Sequence, residues 1–310
     1  MSTPPSTPDD HELELSELLA EVRRIDVQAK RLVTSVFAGG YSSAFRGSGI
    51  EFDTVREYVE GDSRRSVDTN VTARMGRPFV KTYVDERELT VLFLLDLSAS
   101  MSGGFGHWSA RQCAARICAC LALSAIRNND KVGLIAFHDR VDKYVAPLKG
   151  IGHALRIVRD CLALKVPTAA TDFRPALEFA SRVVRRRAVV FLVSDFLTTG
   201  WEHALALCAR RHDVVAVRLL PPELTAPDTG LLRVRDPETG VEQTIDWGSP
   251  RVRAAYKSRV EAWRKKTDDE LRRAGVDLMD VPITRERDND MIARPILKVF
   301  SMRAARGAKR

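Results

Sequence analysis

The stretch VLFLLDLSASM, residues 91–101, joins an apolar run to a loop that is rich in side-chain oxygens. A continuous apolar run of this length is typical of a strand buried on both faces of a parallel sheet. Asp96 ends the run, and Ser98 and Ser100 follow at alternate positions. Alternate residues of an extended segment point the same way, so we expect these three side chains to face one point.

From Leu89 onward, apolar runs alternate with helical patterns, which is typical of βαβ units. Strands are predicted at residues 89–96, 131–137, 188–194 and 213–219, with helices at 107–127, 152–164, 174–185 and 201–211. A β-hairpin is predicted around DPETG, residues 236–240. Residues 89–249 are therefore predicted to form a doubly wound α/β domain with a mostly parallel sheet.

Three other segments surround this predicted domain. Residues 1–36 combine a disordered start with an amphipathic helix, and residues 37–88 have the charges and turns of an irregular, β-containing subdomain. Residues 250–310 are predicted to form two helices, at 250–274 and 287–305.

The overall composition is that of a soluble globular protein, with 310 residues, 45% hydrophobic and 29% charged. The uncharged runs are shorter than the roughly 18 to 20 residues that span a bilayer. The N-terminus is polar and acidic, unlike a signal peptide. The five cysteines lie in apolar patterns and are expected to be reduced. These features predict a cytoplasmic protein without a membrane helix.

The net charge of +8 comes from the C-terminal fifth of the chain, because residues 251–310 hold 17 Lys+Arg and 9 Asp+Glu. A solvated face on two helices explains this excess, and RNA or an acidic partner is the alternative. The aromatic residues there, Tyr256, Trp263 and Phe300, are sparse, and Trp263 is expected to pack its helix onto the domain. Nucleic-acid binding is therefore the less favoured interpretation.

Two further loops carry oxygens to the same predicted edge. PTAATDFRPAL places Thr171 before a helix, and VVFLVSDF ends a strand at Asp195. Ligands bind at the carboxyl ends of strands in open parallel sheets. An all-oxygen set suits Mg²⁺, with Mn²⁺ also possible. The predicted metal ligands are Asp96, Ser98, Ser100, Thr171 and Asp195. Asp172 stays open as an outer partner, a helix N-cap or an alternative ligand.

DLSAS, the later TD and the strand-ending SD together resemble the metal-ion-dependent adhesion site of von Willebrand factor type A domains. The preceding segment resembles the bacterial domain-of-unknown-function family 58, which has R-x-Y, GD, R-x-x-D and AR motifs. The matching residues are Arg56, Tyr58, Gly61, Asp62, Arg65, Asp68, Ala73, Arg74 and Lys81. Thr69 stands where that family usually has Trp. The resemblance covers roughly residues 45–245.

This resemblance implies a von Willebrand factor type A or Rossmann-like fold. It also implies that the serines bind the metal directly, that one or both aspartates act through water, and that one position stays open for an acidic residue of a partner. Family members are typically encoded beside MoxR-type AAA+ ATPases. The implied function is a non-catalytic adaptor in protein remodelling or metallo-cofactor maturation. The chain has no Walker A motif, so ATP hydrolysis is not expected.

The residues leave other interpretations open. A strand-end aspartate with Mg²⁺ also serves phosphatases, although that chemistry commonly has a second aspartate where Ser98 stands. A serine hydrolase would need a G-x-S-x-G elbow, which is absent. Ser, Thr and Asp also cap helices and turns without binding anything. His107 and His138 are interpreted as a helix-start residue and a strand-end surface residue rather than as catalytic bases.

Overall fold

The structure is a computed structural model that describes residues 8–35, 40–45, 51–63, 67–84, 88–164, 171–286, 288 and 290–307. Residues 1–7, part of the predicted disordered start, lie outside this range. The helices are α1 (Pro8–Ser35), α2 (Gly40–Phe45), α3 (Thr69–Met75), α4 (Ala110–Arg127), α5 (Ile151–Ala163), α6 (Arg174–Val183), α7 (Glu202–Arg211), α8 (Pro250–Arg273) and α9 (Ala293–Gly307). The strands are β1 (Glu51–Glu57), β2 (Phe79–Val84), β3 (Thr90–Asp96), β4 (Lys131–Phe137), β5 (Val141–Leu148), β6 (Val189–Ser194), β7 (Asp213–Leu220), β8 (Leu231–Arg235), β9 (Glu242–Asp246) and β10 (Asp277–Pro282).

The central sheet has six strands within the described residues, in the order β10-β7-β6-β3-β4-β5. Its strands are parallel except for β5, which pairs antiparallel with β4. The chain builds outward from β3 to β5, then returns and builds outward from β6 to β10. The order therefore reverses between β3 and β6, which is the topological switch point where such sheets bind ligands. The predicted mostly parallel α/β fold is confirmed.

The central strands are apolar throughout because helices cover both faces of the sheet. In β3, Val91, Phe93 and Leu95 pack towards α1, α4, α5 and α9, while Leu92 and Leu94 pack towards α6 and α7. All five side chains are fully buried. Burying each contributes about 1.5–3 kcal/mol to the hydrophobic stabilisation. This packing holds the residues that follow β3 at the sheet edge.

Helix α4 begins at Ala110 rather than at residue 107, because Ser109 caps its N-terminus. The Ser109 hydroxyl accepts a hydrogen bond from the backbone N–H of Gln112 at 3.2 Å, and the Gln112 side chain accepts one from the Ser109 N–H at 3.1 Å. This reciprocal capping box satisfies two N–H groups of the first turn. The five cysteines of the chain are free and buried, as predicted.

Two strands at the edges of the sheet, β5 and β10, were not predicted. Strand β5 is half exposed and contains Pro147, and β10 carries Asp277 and Asp280 among its six residues. Edge strands tolerate proline and charge because one side of their backbone is unpaired. Their sequences therefore lack the apolar run that marks the central strands.

The segment from residue 37 to residue 88 contains the antiparallel hairpin β1–β2 and the short helices α2 and α3. The Arg56 guanidinium pairs with Asp62 at 2.7 Å. The Asp68 carboxylate caps α3, where it accepts the N–H of Asn70 at 2.9 Å. Arg65, one of the matched family residues, lies outside the described residues.

Candidate functional site

Asp96 and Asp195 flank the switch point of the sheet. Asp96 is the last residue of β3, Asp195 follows β6 directly, and the two strands are parallel neighbours in which Leu95 pairs with Val193. Both aspartates are buried, with 1% and 5% of their surface exposed. The fold thus brings these two predicted ligands to one edge.

Both oxygens of the Asp96 carboxylate accept hydrogen bonds. Oδ1 accepts the backbone N–H of Ser98 at 2.8 Å, and Oδ2 accepts the Ser194 hydroxyl at 2.6 Å. The Ser194 hydroxyl in turn accepts the N–H of Phe196 at 3.0 Å. Each carboxylate oxygen has a second lone pair, so it can also accept from a bound water. Ser194 therefore orients Asp96, a role that the predicted ligand set omitted although Ser194 precedes Asp195 in the SD motif.

Ser98 and Ser100 bring their hydroxyls together, with 3.0 Å between the two Oγ atoms. The Ser100 hydroxyl also hydrogen-bonds to the Asp195 carboxylate. Neighbouring oxygens of an octahedral Mg²⁺ shell, each about 2.1 Å from the ion, lie about 3 Å apart. The serine pair has the spacing of two such neighbouring ligands.

The two aspartates form an electrostatically unfavourable pair. Burial, together with repulsion from Asp195, raises the pKa of Asp96 to about 7. Burial also raises the pKa of Asp195, although hydrogen bonds from the Ser100 hydroxyl and the Leu197 N–H oppose the shift. Within the described parts of the chain, neither carboxylate pairs with Lys or Arg. Buried carboxylates without a cation cost several kcal/mol of lost hydration. A divalent cation would relieve this cost, so the donor set fits Mg²⁺.

Thr171 lies half-buried at the same edge. Its carbonyl oxygen accepts the hydroxyl of Thr198 at 2.8 Å, which ties it to the loop that follows Asp195. Its own hydroxyl faces the Glu238 carboxylate, with 3.5 Å between Oγ1 and Oε1. Thr171 is thus bonded to the loop after Asp195 through Thr198, and its hydroxyl faces Glu238.

Glu238 is a third carboxylate at this edge, and the sequence did not point to it as a site residue. It lies in the predicted DPETG turn, between β8 and β9. Burial raises the pKa of Glu238, and repulsion from Asp195 and Asp236 adds to the shift. The turn itself is recognisable in the sequence, but its position over Thr171 depends on the packing of distant segments.

The loop after β6 holds Asp195 through a strained residue. Phe196 is fully buried and has a φ of +59°, in the left-handed region. This conformation costs a bulky residue on the order of 1–3 kcal/mol, and such strain clusters at functional sites. The indole N–H of Trp263, on α8, donates to the Phe196 carbonyl at 3.0 Å. Trp263 packs α8 onto the sheet as predicted, and it also fastens the Asp195 loop.

Asp172 and His138 differ from Thr171 in what they contact. The Asp172 carboxylate pairs with the Arg174 guanidinium at 2.7 Å, and this hydrogen-bonded pairing lowers the pKa of Asp172.

His138 was expected at the surface, but it is only 3% exposed, with its ring between Asp139 and Asp142. The expectation was wrong because β5 turns back over the end of β4.

A cation at this edge would depend on hydroxyl ligands. Across the described residues, no group of three or more His, Cys, Asp and Glu side chains could hold a metal ion. Any metal site at this edge would therefore have to include hydroxyl oxygens. The predicted set of Asp96, Ser98, Ser100, Thr171 and Asp195 includes them and stays a prediction.

The basic C-terminal region neutralises part of its charge within the molecule. Arg303 pairs with Asp213 at 2.7 Å and with Asp277 at 2.8 Å. Arg218 is fully buried and pairs with Asp280 at 2.7 Å. These ion pairs neutralise part of the positive charge of the region inside the structure.

None of the described helices is long and apolar enough to cross a membrane.

The strand order, with its reversal between β3 and β6, defines a doubly wound α/β protein with a mostly parallel sheet. Residues 54–266 match the family described as "Protein of unknown function DUF58". The chain belongs to this family. The matched region begins in β1 and ends within α8, before the edge strand β10.

The relatives of the chain are uncharacterized. It is 28% identical to an uncharacterized protein of Mycobacterium tuberculosis over 298 residues, which cover 94% of this chain and 91% of that protein. An uncharacterized protein of Mycobacterium avium is 33% identical over 141 residues, covering 44% of this chain and 78% of that protein.

Two solved structures show partial similarity to this chain. BatB from Bacteroides thetaiotaomicron is 18% identical with a TM-score of 0.41, and the match covers 72% of this chain and all of that one. The SpRpn10 VWA domain is 12% identical with a TM-score of 0.38, covering 66% and 94% of the two chains.

Proposed function

We propose that this protein is a non-catalytic, Mg²⁺-dependent adaptor that binds another protein at the carboxyl edge of its sheet. In this proposal the hydroxyls of Ser98, Ser100 and Thr171 hold the ion, which Mn²⁺ can replace. Asp96 and Asp195 support it through hydrogen-bonded water. The bound ion would supply positive charge for an acidic residue of the partner.

One observation carries the proposal. Two buried carboxylates, Asp96 and Asp195, lie beside a pair of serine hydroxyls 3.0 Å apart, and no described Lys or Arg neutralises either of them. Capping of turns explains single Ser or Asp residues, but it does not explain why two like charges are buried together. A divalent cation explains both the charges and the hydroxyl spacing.

The partner in this proposal is a client protein or a MoxR-type AAA+ ATPase, and the process is protein remodelling or metallo-cofactor maturation. A mostly neutral shell of hydroxyls leaves the ion electron-poor, which favours capture of a carboxylate over hydrolysis. A cytoplasmic location is part of the proposal, supported by the five free, buried cysteines.

The alternative of a Mg²⁺-dependent phosphatase is less well supported. Its nucleophile would be Asp96, yet both oxygens of this carboxylate accept hydrogen bonds, from the Ser98 N–H and the Ser194 hydroxyl. Position 98 carries serine where that chemistry commonly has a second aspartate. RNA binding through the basic C-terminal region is weakened by the internal pairing of Arg218 and Arg303.

Metal binding is the direct test, with Mn²⁺ as the probe. Calorimetry and electron paramagnetic resonance should detect one Mn²⁺ per wild-type chain and none in Asp96→Asn. The matched control is Asp172→Asn, which makes the same change at the same edge in a carboxylate already paired with Arg174. It should bind Mn²⁺ like the wild type. No Mn²⁺ binding by the wild-type protein would refute the proposal.

A second experiment tests partner binding. Immobilised protein should retain a co-expressed MoxR-type ATPase in Mg²⁺, release it in EDTA, and fail to retain it as Asp96→Asn. Retention that is indifferent to both EDTA and the substitution would place the ATPase contact elsewhere on the surface.

A further inference from the structure

Hairpin β8–β9 carries an acidic residue to the candidate site from within the chain. Among the described strands, β8 and β9 pair only with each other, and their side chains are mostly exposed. The base of the hairpin is anchored, because Trp247 is 5% exposed and packs edge-on against Tyr256. The strands therefore form an arm whose tip can be placed over another part of the molecule.

The tip of this arm is internally rigid. The Asp236 carboxylate accepts the N–H of Glu238 at 2.9 Å and the hydroxyl of Thr239 at 2.6 Å. The N–H of Gly240 closes the turn on the Asp236 carbonyl at 2.9 Å, and Gly240 has a φ of +71°, which glycine adopts without strain. The turn therefore fixes the backbone from which the Glu238 side chain extends to Thr171.

Glu238 lies beside Thr171, one of the proposed metal ligands. Its Oε1 lies 3.5 Å from the Thr171 hydroxyl, and its charge is close enough to Asp195 for the two to repel. An exposed glutamate on a free arm gains nothing by approaching buried aspartates, since like charges repel and burial removes hydration. A cation between Glu238 and the aspartates would attract both, so the approach of Glu238 would become favourable.

We propose that Glu238 is an internal ligand of the metal site, held there by the β8–β9 hairpin, and that it occupies the coordination position which a partner's carboxylate takes when the hairpin moves aside. This inference rests on the proposed function. It makes the hairpin an autoinhibitory arm, because the effective concentration of a tethered carboxylate exceeds that of a free one. A partner must supply enough binding energy to displace it.

The test compares wild type with Glu238→Gln, which keeps the size of the side chain and removes its charge. Mn²⁺ and ¹³C-carboxyl acetate are the probes. We expect Mn²⁺ to bind Glu238→Gln at least about tenfold more weakly, the lower end of what loss of a partner costs a metal site. Pulsed electron–nuclear double resonance should show acetate bound to Mn²⁺ in this variant but not in the wild type, at equal metal occupancy.

The control is Glu242→Gln, which removes the same charge from the same hairpin. Glu242 lies on β9 and pairs with Arg233, so this variant should behave as wild type in both measurements. Either a wild-type Mn²⁺ affinity in Glu238→Gln or equal acetate binding in the two proteins would overturn the inference while leaving the adaptor proposal intact. If the wild-type protein binds no Mn²⁺, the adaptor proposal fails and this inference fails with it.

Discussion

The two edges of the central sheet differ in what their aspartates bond to. At the amino edge, Asp213 begins β7 and Asp277 begins β10, and the Arg303 guanidinium from α9 bonds to both. At the carboxyl edge, Asp96 and Asp195 have only hydroxyl and N–H partners among the described residues.

The difference is whether an aspartate has an arginine partner within the described chain. A carboxylate that the fold needs for stability is supplied with its own arginine, because a buried ion without a partner is expensive. Among the described residues Asp96 and Asp195 have no such arginine, and the proposed cation would take its place. Each edge can be tested by removing the group that defines it.

The largest effect is expected at the amino edge. Arg303→Met leaves Asp213 and Asp277 without their shared cation, and it also removes the guanidinium from the Phe45 ring, whose centroid is 4.8 Å away. We expect the free energy of unfolding in urea to fall by about 3 kcal/mol, since two partly buried carboxylates lose their shared cation. The control Arg306→Met alters an arginine that is 63% exposed and should cost less than about 1 kcal/mol. Equal losses in the two variants would contradict the comparison.

At the carboxyl edge, a substitution is expected to raise the free energy of unfolding rather than to lower it. Without metal at neutral or higher pH, Asp96→Asn should raise the free energy of unfolding by on the order of 2 kcal/mol, since a neutral amide avoids the burial cost and the repulsion from Asp195. Adding Mn²⁺ should then stabilise the wild type but not the variant. Urea unfolding with EDTA and with Mn²⁺ measures both effects. A metal-free variant less stable than wild type would mean that the fold itself accommodates the Asp96 charge.

The smallest effect concerns pH at the amino edge. His212 is 2% exposed, and its Nδ1 accepts the Ala188 N–H at 3.3 Å. Burial and the neighbouring Arg211 and Arg187 lower the pKa of His212 from 6.5. The unfolded chain therefore takes up a proton that the folded chain does not, and stability falls as the pH drops below 6.5.

His212→Gln should make this loss of stability shallower between pH 6.5 and about pH 5, as followed by thermal unfolding. The control His203→Gln alters an exposed histidine on α7 and should keep the wild-type slope. If both variants follow the wild-type curve, His212 is not the group that titrates.

The strands of the central sheet that were predicted correctly are those whose burial is complete. Strands β3 and β6 are apolar on both faces, so a short window of sequence suffices to recognise them. Strands β5 and β10 lie at the edges, where their polar residues meet solvent or arginines from α8, α9 and β7. A local pattern cannot anticipate those partners, and both strands were missed.

In the candidate site too, some features could be predicted from the sequence and others could not. Asp96, Ser98 and Ser100 share one loop, so their spacing alone predicts convergence, and the serine hydroxyls do meet. Thr171 and Asp172 are adjacent, and both carry side-chain oxygens that could bind a metal. Only the structure shows that Asp172 pairs with Arg174, whereas Thr171 faces Glu238. That distinction depends on side chains brought from other elements.

The sequence by itself determined the parallel α/β scaffold and the edge at which its oxygens gather, because hydrophobic periodicity and strand direction are local properties. Only the tertiary structure decided which carboxylates are neutralised and which are not. It also placed Glu238 beside Thr171, 67 residues away in sequence. The physical reason is that charge pairing acts through space, between groups whose separation along the chain carries no information about their distance.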